Sequence, residues 1–135
     1  MSNSLSLRFF IALIIMMSHF TVQADPTISE HIDIHQFSNL MSEKSDNTKI
    51  IDVRTLGEFQ TGHLSDAILI DFYAKNFVER VKKLDKDATY LLYCRTGNRS
   101  GQTLKLMRNL GFKAAYNMKG GMNKWAAAKY PVLKP

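Results

Sequence analysis

The sequence contains very little cysteine and proline, with 1 Cys and 3 Pro among its 135 residues. A single Cys excludes a disulfide framework within the chain, and it also excludes zinc or iron–sulfur sites built from several cysteines. The 7 Gly and the hydrophobic content of 45% exclude collagen-like, low-complexity and wholly disordered proteins. The length predicts one domain.

The charge is unbalanced but not concentrated, because 18 Lys+Arg against 12 Asp+Glu give a formal net charge of +6. A small basic group formed by Lys82, Lys83 and Lys86 is interrupted by Asp85 and Asp87. A nucleic-acid site needs a continuous basic stripe with interleaved aromatic residues. We therefore expect no nucleic-acid partner, whereas a small anionic ligand is compatible with the excess of positive charge.

The amino terminus has the features of a secretory signal over Met1–Ala24. Arg8 supplies the positive charge, Phe9–Met17 is an uninterrupted apolar run, and Val22 and Ala24 suit a cleavage site. A membrane span needs about 20 apolar residues, and this run is too short. We expect cleavage after Ala24, a periplasmic location and no stable membrane insertion of the mature chain.

The remaining residues, 25–135, show no linker, repeat or long charge block and predict a single domain. An oxidising compartment pairs thiols when it can, and Cys94 has no partner within the chain. An unpaired thiol in an exported protein suggests that the thiol has a chemical role.

Short apolar runs alternate with helical patterns along this domain. The predicted strands are Ile50–Val53, Ala67–Ile70, Thr89–Tyr93 and Ala114–Asn117, with an edge pairing at Ile32. The predicted helices are Ile34–Glu43 (capped by Asp33), Phe77–Leu84, Ser100–Leu110 and Gly121–Ala128. This alternation predicts an α/β fold with a mainly parallel sheet, in which ligands bind beyond the carboxyl ends of the strands.

The segment with the clearest chemistry begins at the end of the third of these strands and reads Cys94-Arg95-Thr96-Gly97-Asn98-Arg99-Ser100. Gly97 and Asn98 tolerate positive φ, so the loop can turn its N–H groups toward the sulfur, and Ser100 can cap the following helix. Peptide donors, a helix N-terminus and two arginines favour a thiolate over a thiol. The same arrangement would hold an anion, so the loop residues 95–100 are candidate substrate-binding residues around a nucleophilic Cys94.

Two alternatives follow from the same loop. A Cys at a strand end can be a simple buried core residue. Phosphatases also use a Cys–Arg loop, but with one more residue than the four that lie between Cys94 and Arg99 here. The smaller ring suits a sulfur atom carried on the cysteine better than a phosphoryl group. A phosphatase or arsenate-reductase-like activity is therefore the weaker hypothesis.

The loop resembles the active-site loop of the rhodanese (sulfurtransferase) family, and further motifs of that family occur in order. They are Asp52-Val53-Arg54, Glu58-Phe59, Gly62-His63-Leu64 and Ala67, then Gly111-Phe112, Tyr116-Asn117, Gly120-Gly121, Trp125 and Tyr130-Pro131-Val132. The resemblance is greatest to small, exported, single-domain members, including the phage-shock type. One departure is Ser65-Asp66, where the family commonly has Pro-Gly, so we expect the turn there to differ.

The resemblance implies a three-layer domain whose central, mainly parallel sheet of about five strands is flanked by helices. It also implies that Cys94 is the catalytic residue and that Arg54 lies beside the substrate, with no cofactor and no metal. The expected reaction moves sulfur from thiosulfate or a similar small anionic donor to a thiophilic acceptor, such as cyanide or a thiol, including a protein thiol. The alternative is a carrier that holds a persulfide for a partner without turnover. Either role requires residue 94 to be open to solvent and its neighbouring peptide groups to face the sulfur.

Other polar residues have simpler interpretations. Glu58 is expected to pair with a basic residue or to cap a turn, and His63 to support a turn rather than act as a base. His31 and His35 lack further ligands and are expected to be solvated rather than metal-binding. Trp125 is expected to anchor the last helix on the core.

Overall fold

The structure is a computed structural model that describes residues 26–135. The predicted signal segment lies outside the described residues. Five strands and five helices alternate along the described chain. The strands are β1 (Ile28–Ile32), β2 (Thr48–Asp52), β3 (Ala67–Leu69), β4 (Thr89–Tyr93) and β5 (Ala114–Met118), and the helices are α1 (Ile34–Ser42), α2 (Leu56–Gln60), α3 (Phe77–Lys82), α4 (Asn98–Asn109) and α5 (Gly121–Ala127).

The five strands form one sheet in the order β1-β5-β4-β2-β3, and every paired strand is parallel to its neighbour. The α/β class and the parallel sheet of five strands are therefore confirmed. The expected edge pairing at Ile32 is a complete strand, β1, in register with β5. The central position of β4 places its carboxyl end, and the loop that follows it, between β5 and β2.

Side chains of β4 alternate between two apolar cores, as the two-residue period of a strand requires. Tyr90 and Leu92 pack with residues of α3 and α4 on one face, while Leu91 and Tyr93 pack with Phe37 of α1 and Trp125 of α5 on the other. Both sheet faces are covered by helices, so the predicted three-layer arrangement is confirmed. Among residues 26–135, no helix is long and apolar enough to cross a membrane.

The structure corrects the sequence analysis at two helix starts. Helix α4 begins at Asn98 rather than at Ser100. Its N-cap is Gly97, which has a φ of 94°, and no side-chain hydrogen bond caps the helix. Ser100 is therefore not the cap but a buried residue of the first turn. Helix α2 was not predicted, although Thr55 and Glu58 form a capping box that is visible in the sequence.

The turn before β3 has a left-handed residue, Asp66, at the position where the family commonly has glycine. The amide of Ala67 donates to the carbonyl of Leu64 at 3.2 Å, and Asp66 has a φ of 60°. Positive φ at this third position is what a type II turn requires, and it normally selects glycine. The expected difference from the Pro-Gly turn stays a prediction. An exposed ion pair between Lys44 and Asp66, at 2.7 Å, accompanies it.

We predict that Asp66→Gly is more stable than Asp66→Ala by about 1 kcal/mol, because only alanine retains the steric cost of the left-handed conformation. Both variants lose the ion pair with Lys44, so the difference between them isolates the backbone term. Urea unfolding followed by circular dichroism measures it. Equal stability of the two variants would contradict the proposed turn strain.

Candidate active site

The Cys94 sulfur lies immediately beyond the end of β4 and is surrounded by hydrogen-bond donors. The amide of Gly97 donates to Sγ at 3.1 Å, and the hydroxyl of Ser100 donates to it at 3.3 Å. Gly97 precedes α4 and Ser100 lies in its first turn, so the sulfur sits at the positive end of a helix of 12 residues. The predicted orientation of peptide groups toward the sulfur is present in the structure.

The loop points its amides inward because its carbonyls are held from outside. The carbonyls of Cys94 and Arg95 accept hydrogen bonds from the amides of Met122 and Asn123, at 2.9 and 3.0 Å. These amides belong to the first turn of α5, which would otherwise leave them without partners. Gly121 makes the approach possible, since an added Cβ would overlap the Cys94 and Arg95 backbone. Helix α5 therefore fixes the orientation of the loop.

A side chain from β5 holds the loop at a second point. Asn117 is buried, and its Nδ2 donates to the carbonyl of Gly97 at 3.2 Å. The same carbonyl accepts the amide of Gly101 at 3.0 Å, as the first turn of α4. Gly97 thus presents its N–H to the sulfur while its C=O faces away. The sequence analysis gave Asn117 no role in the site, although it forms part of a family motif.

The hydrogen bonds decide the ionisation of Cys94. Burial by itself would raise the pKa of the thiol, but the Ser100 hydroxyl and the amides of Ser100, Thr96 and Gly97 outweigh burial and leave the pKa below its ordinary value. A thiolate in this position is a nucleophile that needs no general base.

The sulfur is not open to solvent in this structure, where Cys94 is 0% exposed. The expectation of an accessible residue 94 is therefore wrong for the conformation described. The physical reason is the short loop, which wraps around its own sulfur while the side chains of Arg95, Thr96 and Asn98 remain exposed. The second requirement, that peptide groups face the sulfur, is met.

The two arginines of the loop differ in their electrostatic surroundings. Arg99 donates to both carboxylate oxygens of Glu58, at 2.8 and 2.7 Å. Arg99 lowers the pKa of Glu58 to about 2, and Glu58 in turn raises the pKa of Arg99. Glu58 also accepts the amide and hydroxyl of Thr55, so it fulfils both roles expected for it. Arg95 has an exposed side chain and, within residues 26–135, forms no ion pair.

Arg54 lies at the end of β2 and is held internally. Its guanidinium donates to Asp52, with 2.6 Å between Nη2 and Oδ2, and Nη2 also donates to the carbonyl of Gly62 at 2.7 Å. Arg54 is 4% exposed, and it lies over the ring of Tyr93 with its Cζ 5.4 Å from the ring centroid. Through these contacts, Arg54 stabilises the ends of β2 and β4. Its expected contact with the substrate stays a prediction.

A polar cavity of about 500 Å³ opens over the loop. We call it the loop pocket, and its lining consists of Thr55, Glu58, Tyr73, Arg95, Thr96, Asn98 and Arg99. Tyr73 is 68% exposed, and its ring lies 5.6 Å from the Arg99 Cζ. Tyr73 was not predicted as a site residue, because the chain between β3 and α3 carries no motif that marks it.

The remaining candidates have structural contacts. His63 stacks on Phe59 and exchanges backbone hydrogen bonds with Leu133, which fits a turn support. His31 contacts Asn117, whereas His35 contacts Tyr130, so the two histidines do not converge. No cluster of three metal-binding side chains occurs in the part of the chain that the structure describes. Trp125 is buried in the core, as predicted.

Comparison with known proteins identifies the family. The model of the rhodanese-like domain family matches residues 33–128. A sulfurtransferase of Allochromatium vinosum is 28% identical over 77% of this chain and 94% of its own length. A putative sulfurtransferase of Bacillus subtilis is 34% identical over 66% of this chain and 84% of its own length. The chain also matches 35% of the length of a probable adenylyltransferase/sulfurtransferase of Mycobacterium tuberculosis, at 28% identity.

Solved structures show the same fold. A rhodanese-related protein of Thermoplasma volcanium superposes with a TM-score of 0.68 at 24% identity, covering 78% of this chain and 99% of that one. A rhodanese-like domain protein of Staphylococcus aureus gives 0.62 at 27% identity, covering 71% and 90%. The chain therefore belongs to the rhodanese-like domain family, and its relatives support sulfur transfer as the general class of activity. The expected likeness to exported, phage-shock members stays a prediction.

Replacing Ser100 by Ala should raise the pKa of Cys94 by about one unit, since a hydrogen bond to a charged group contributes about 1.5–3 kcal/mol and water replaces part of it. The thiolate would then form only at higher pH. The ultraviolet absorbance of the thiolate measures this directly, because the chain has 1 Cys.

Thr103→Val is the matched control for Ser100→Ala. Thr103 is buried one turn further along α4, and its hydroxyl donates to the Arg99 carbonyl rather than to the sulfur. In this variant, the pH midpoint of the thiolate absorbance should be the same as in the native protein. An unchanged Cys94 pKa in Ser100→Ala would contradict the role given to the hydroxyl.

Proposed function

We propose that the protein is a thiosulfate-type sulfurtransferase that works through a persulfide on Cys94. The observation that carries the proposal is the contact of the Gly97 amide and the Ser100 hydroxyl with one sulfur at the start of α4. This environment favours a thiolate, and the same donors would stabilise the negative charge of a persulfide. Family membership and the relatives named as sulfurtransferases support the same class of reaction.

In the first half-reaction, the Cys94 thiolate attacks the outer sulfur of thiosulfate. A bond forms between Sγ and that sulfur, while the sulfur–sulfur bond of thiosulfate breaks and its electron pair leaves with sulfite. The enzyme then carries Cys94–S–S⁻. No proton is transferred and no external oxidant is needed, because sulfite is the leaving group.

In the second half-reaction, an acceptor attacks the outer sulfur of the persulfide. With cyanide, thiocyanate forms and the electron pair of the broken sulfur–sulfur bond returns to Cys94 as the thiolate. With a thiol, the product is a new persulfide on the acceptor. The two half-reactions share one covalent intermediate, so ping-pong kinetics are expected.

The loop pocket is the proposed entrance for the donor. Within residues 26–135, Arg95 forms no ion pair and is the exposed cation of this lining, whereas the charge of Arg99 is balanced by Glu58. A doubly negative donor therefore gains most from Arg95. Since Cys94 is fully buried, transfer also requires the loop to open at its exposed residues Arg95 and Thr96.

The proposed setting is the periplasm, reached through the signal segment predicted at residues 1–24, with residues 25–135 as the working domain. The proposed partners are a small anionic sulfur donor and a thiophilic acceptor, which can be a small molecule or a protein thiol. The chemistry described needs neither a metal nor an organic cofactor, because the cysteine sulfur is both nucleophile and carrier.

Incubation with thiosulfate should increase the protein mass by one sulfur atom, and cyanide should remove it with formation of thiocyanate. Intact-protein mass spectrometry and a thiocyanate assay follow the two steps. Cys94→Ser is the matched control and should neither load nor turn over. Loading without steady-state turnover would support a carrier instead, and the absence of any loading would contradict sulfur transfer from thiosulfate.

Replacing Arg95 by Ala should raise KM for thiosulfate about fivefold, the equivalent of about 1 kcal/mol for one exposed charge contact. The pKa of Cys94 should change little, because the contacts that lower it come from Ser100, Thr96 and Gly97. Arg99→Ala should instead lower stability through the loss of the Glu58 pair, with a smaller effect on KM. Arg108→Ala removes an exposed charge at the other end of α4 and is the control for net charge. A larger increase in KM in Arg99→Ala than in Arg95→Ala would contradict the assignment of Arg95 as the main donor-binding residue.

A further inference from the structure

A second cavity, of about 520 Å³, lies on the other side of Arg95 and Glu58 from the loop pocket, and both residues line both cavities. We call it the acceptor groove. Its lining includes Arg95, Met122, Ala126, Val132 and Lys134. The groove borders the outer face of the catalytic loop, where the amide of Met122 donates to the Cys94 carbonyl at 2.9 Å, and it meets the loop pocket at the shared residues Arg95 and Glu58.

The floor of the acceptor groove is apolar, unlike the loop pocket. Met122 and Val132 are half-buried, and Ala126 presents a methyl group from the same helix as Met122. Thiosulfate has no apolar part that could use such a surface. Organic molecules with a short hydrocarbon segment do, and a cavity of this size matches a small ligand.

Apart from the groups held in internal ion pairs, the charged side chains that line the acceptor groove are positive. Both oxygens of Glu58 accept from Arg99, and Arg54 is neutralised by Asp52. Arg95 and Lys134 are exposed, and neither forms an ion pair within residues 26–135. An apolar floor with two unpaired cations complements an organic anion.

Building on the proposed function, we propose that the acceptor groove binds the sulfur acceptor and that this acceptor is a small organic thiol bearing a carboxylate. The hydrocarbon part lies on Met122 and Val132, and the carboxylate is held by Lys134 with Arg95. When the loop opens at Arg95, the acceptor thiolate attacks the outer sulfur of Cys94–S–S⁻. The sulfur–sulfur bond breaks, its electron pair returns to Cys94 as the thiolate, and the acceptor leaves as R–S–S⁻.

The test compares mercaptopropionate with mercaptoethanol as acceptors, at a fixed thiosulfate concentration. The first thiol carries a carboxylate and the second a hydroxyl on a chain of similar length. Lys134→Glu should lower kcat/KM for mercaptopropionate about tenfold and that for mercaptoethanol by a much smaller factor. Lys83→Glu makes the same change of charge at an exposed residue after α3 that does not line the groove, and it should not alter the ratio.

The outcomes separate the acceptor groove from the general reaction. If cyanide discharges the persulfide but Lys134→Glu affects both thiols equally, the groove proposal is overturned and sulfur transfer stands. If no acceptor supports turnover, sulfur transfer fails, and binding of the unreactive analogue methylthiopropionate decides the groove. Shifts of the Met122 and Val132 methyl resonances in the native protein, abolished in Lys134→Glu, support the proposal; unshifted methyl resonances refute it.

Discussion

The structure depends on a set of peptide groups that are held in one orientation around a single sulfur. The amides of the loop can face Cys94 only because their carbonyls are occupied elsewhere, by the first turn of α5 and by the side chain of Asn117. Burial disfavours a thiolate, so the lowered pKa of Cys94 depends on these donors. Packing of α5 and β5 against the loop therefore controls the chemistry of the cysteine, although neither element touches the sulfur in the contacts described.

Much of this arrangement could be predicted from local sequence patterns. Apolar runs located four of the five strands and one residue of the fifth, and Gly97 marked the turn that starts α4, because these signals are local. The predicted Ser100 cap was wrong because α4 begins two residues earlier, at Asn98, so Ser100 lies inside the first turn and its hydroxyl contacts the sulfur. The burial of Cys94, the choice of Glu58 as the partner of Arg99 and the role of Asn117 depend on segments distant in sequence. No local pattern contains that information.

The two arginines of the loop illustrate how similar residues acquire different roles. Arg99 joins α4 to the capping box of α2 through Glu58, so its charge mainly fixes the loop against its neighbour. Arg95 is left exposed between the loop pocket and the acceptor groove. In the proposed reaction, an exposed cation at this boundary would meet an anionic donor on one side and an anionic acceptor on the other, which suits a reaction in two half-steps.

The most direct test of the central claim is a pH titration of the native protein that follows the backbone amide resonances of Thr96, Gly97 and Ser100. If these amides hold the Cys94 thiolate, their proton resonances will shift together, with one midpoint below the ordinary pKa of a cysteine. Independent behaviour of the three amides, or a shared midpoint at or above that ordinary value, would contradict the account.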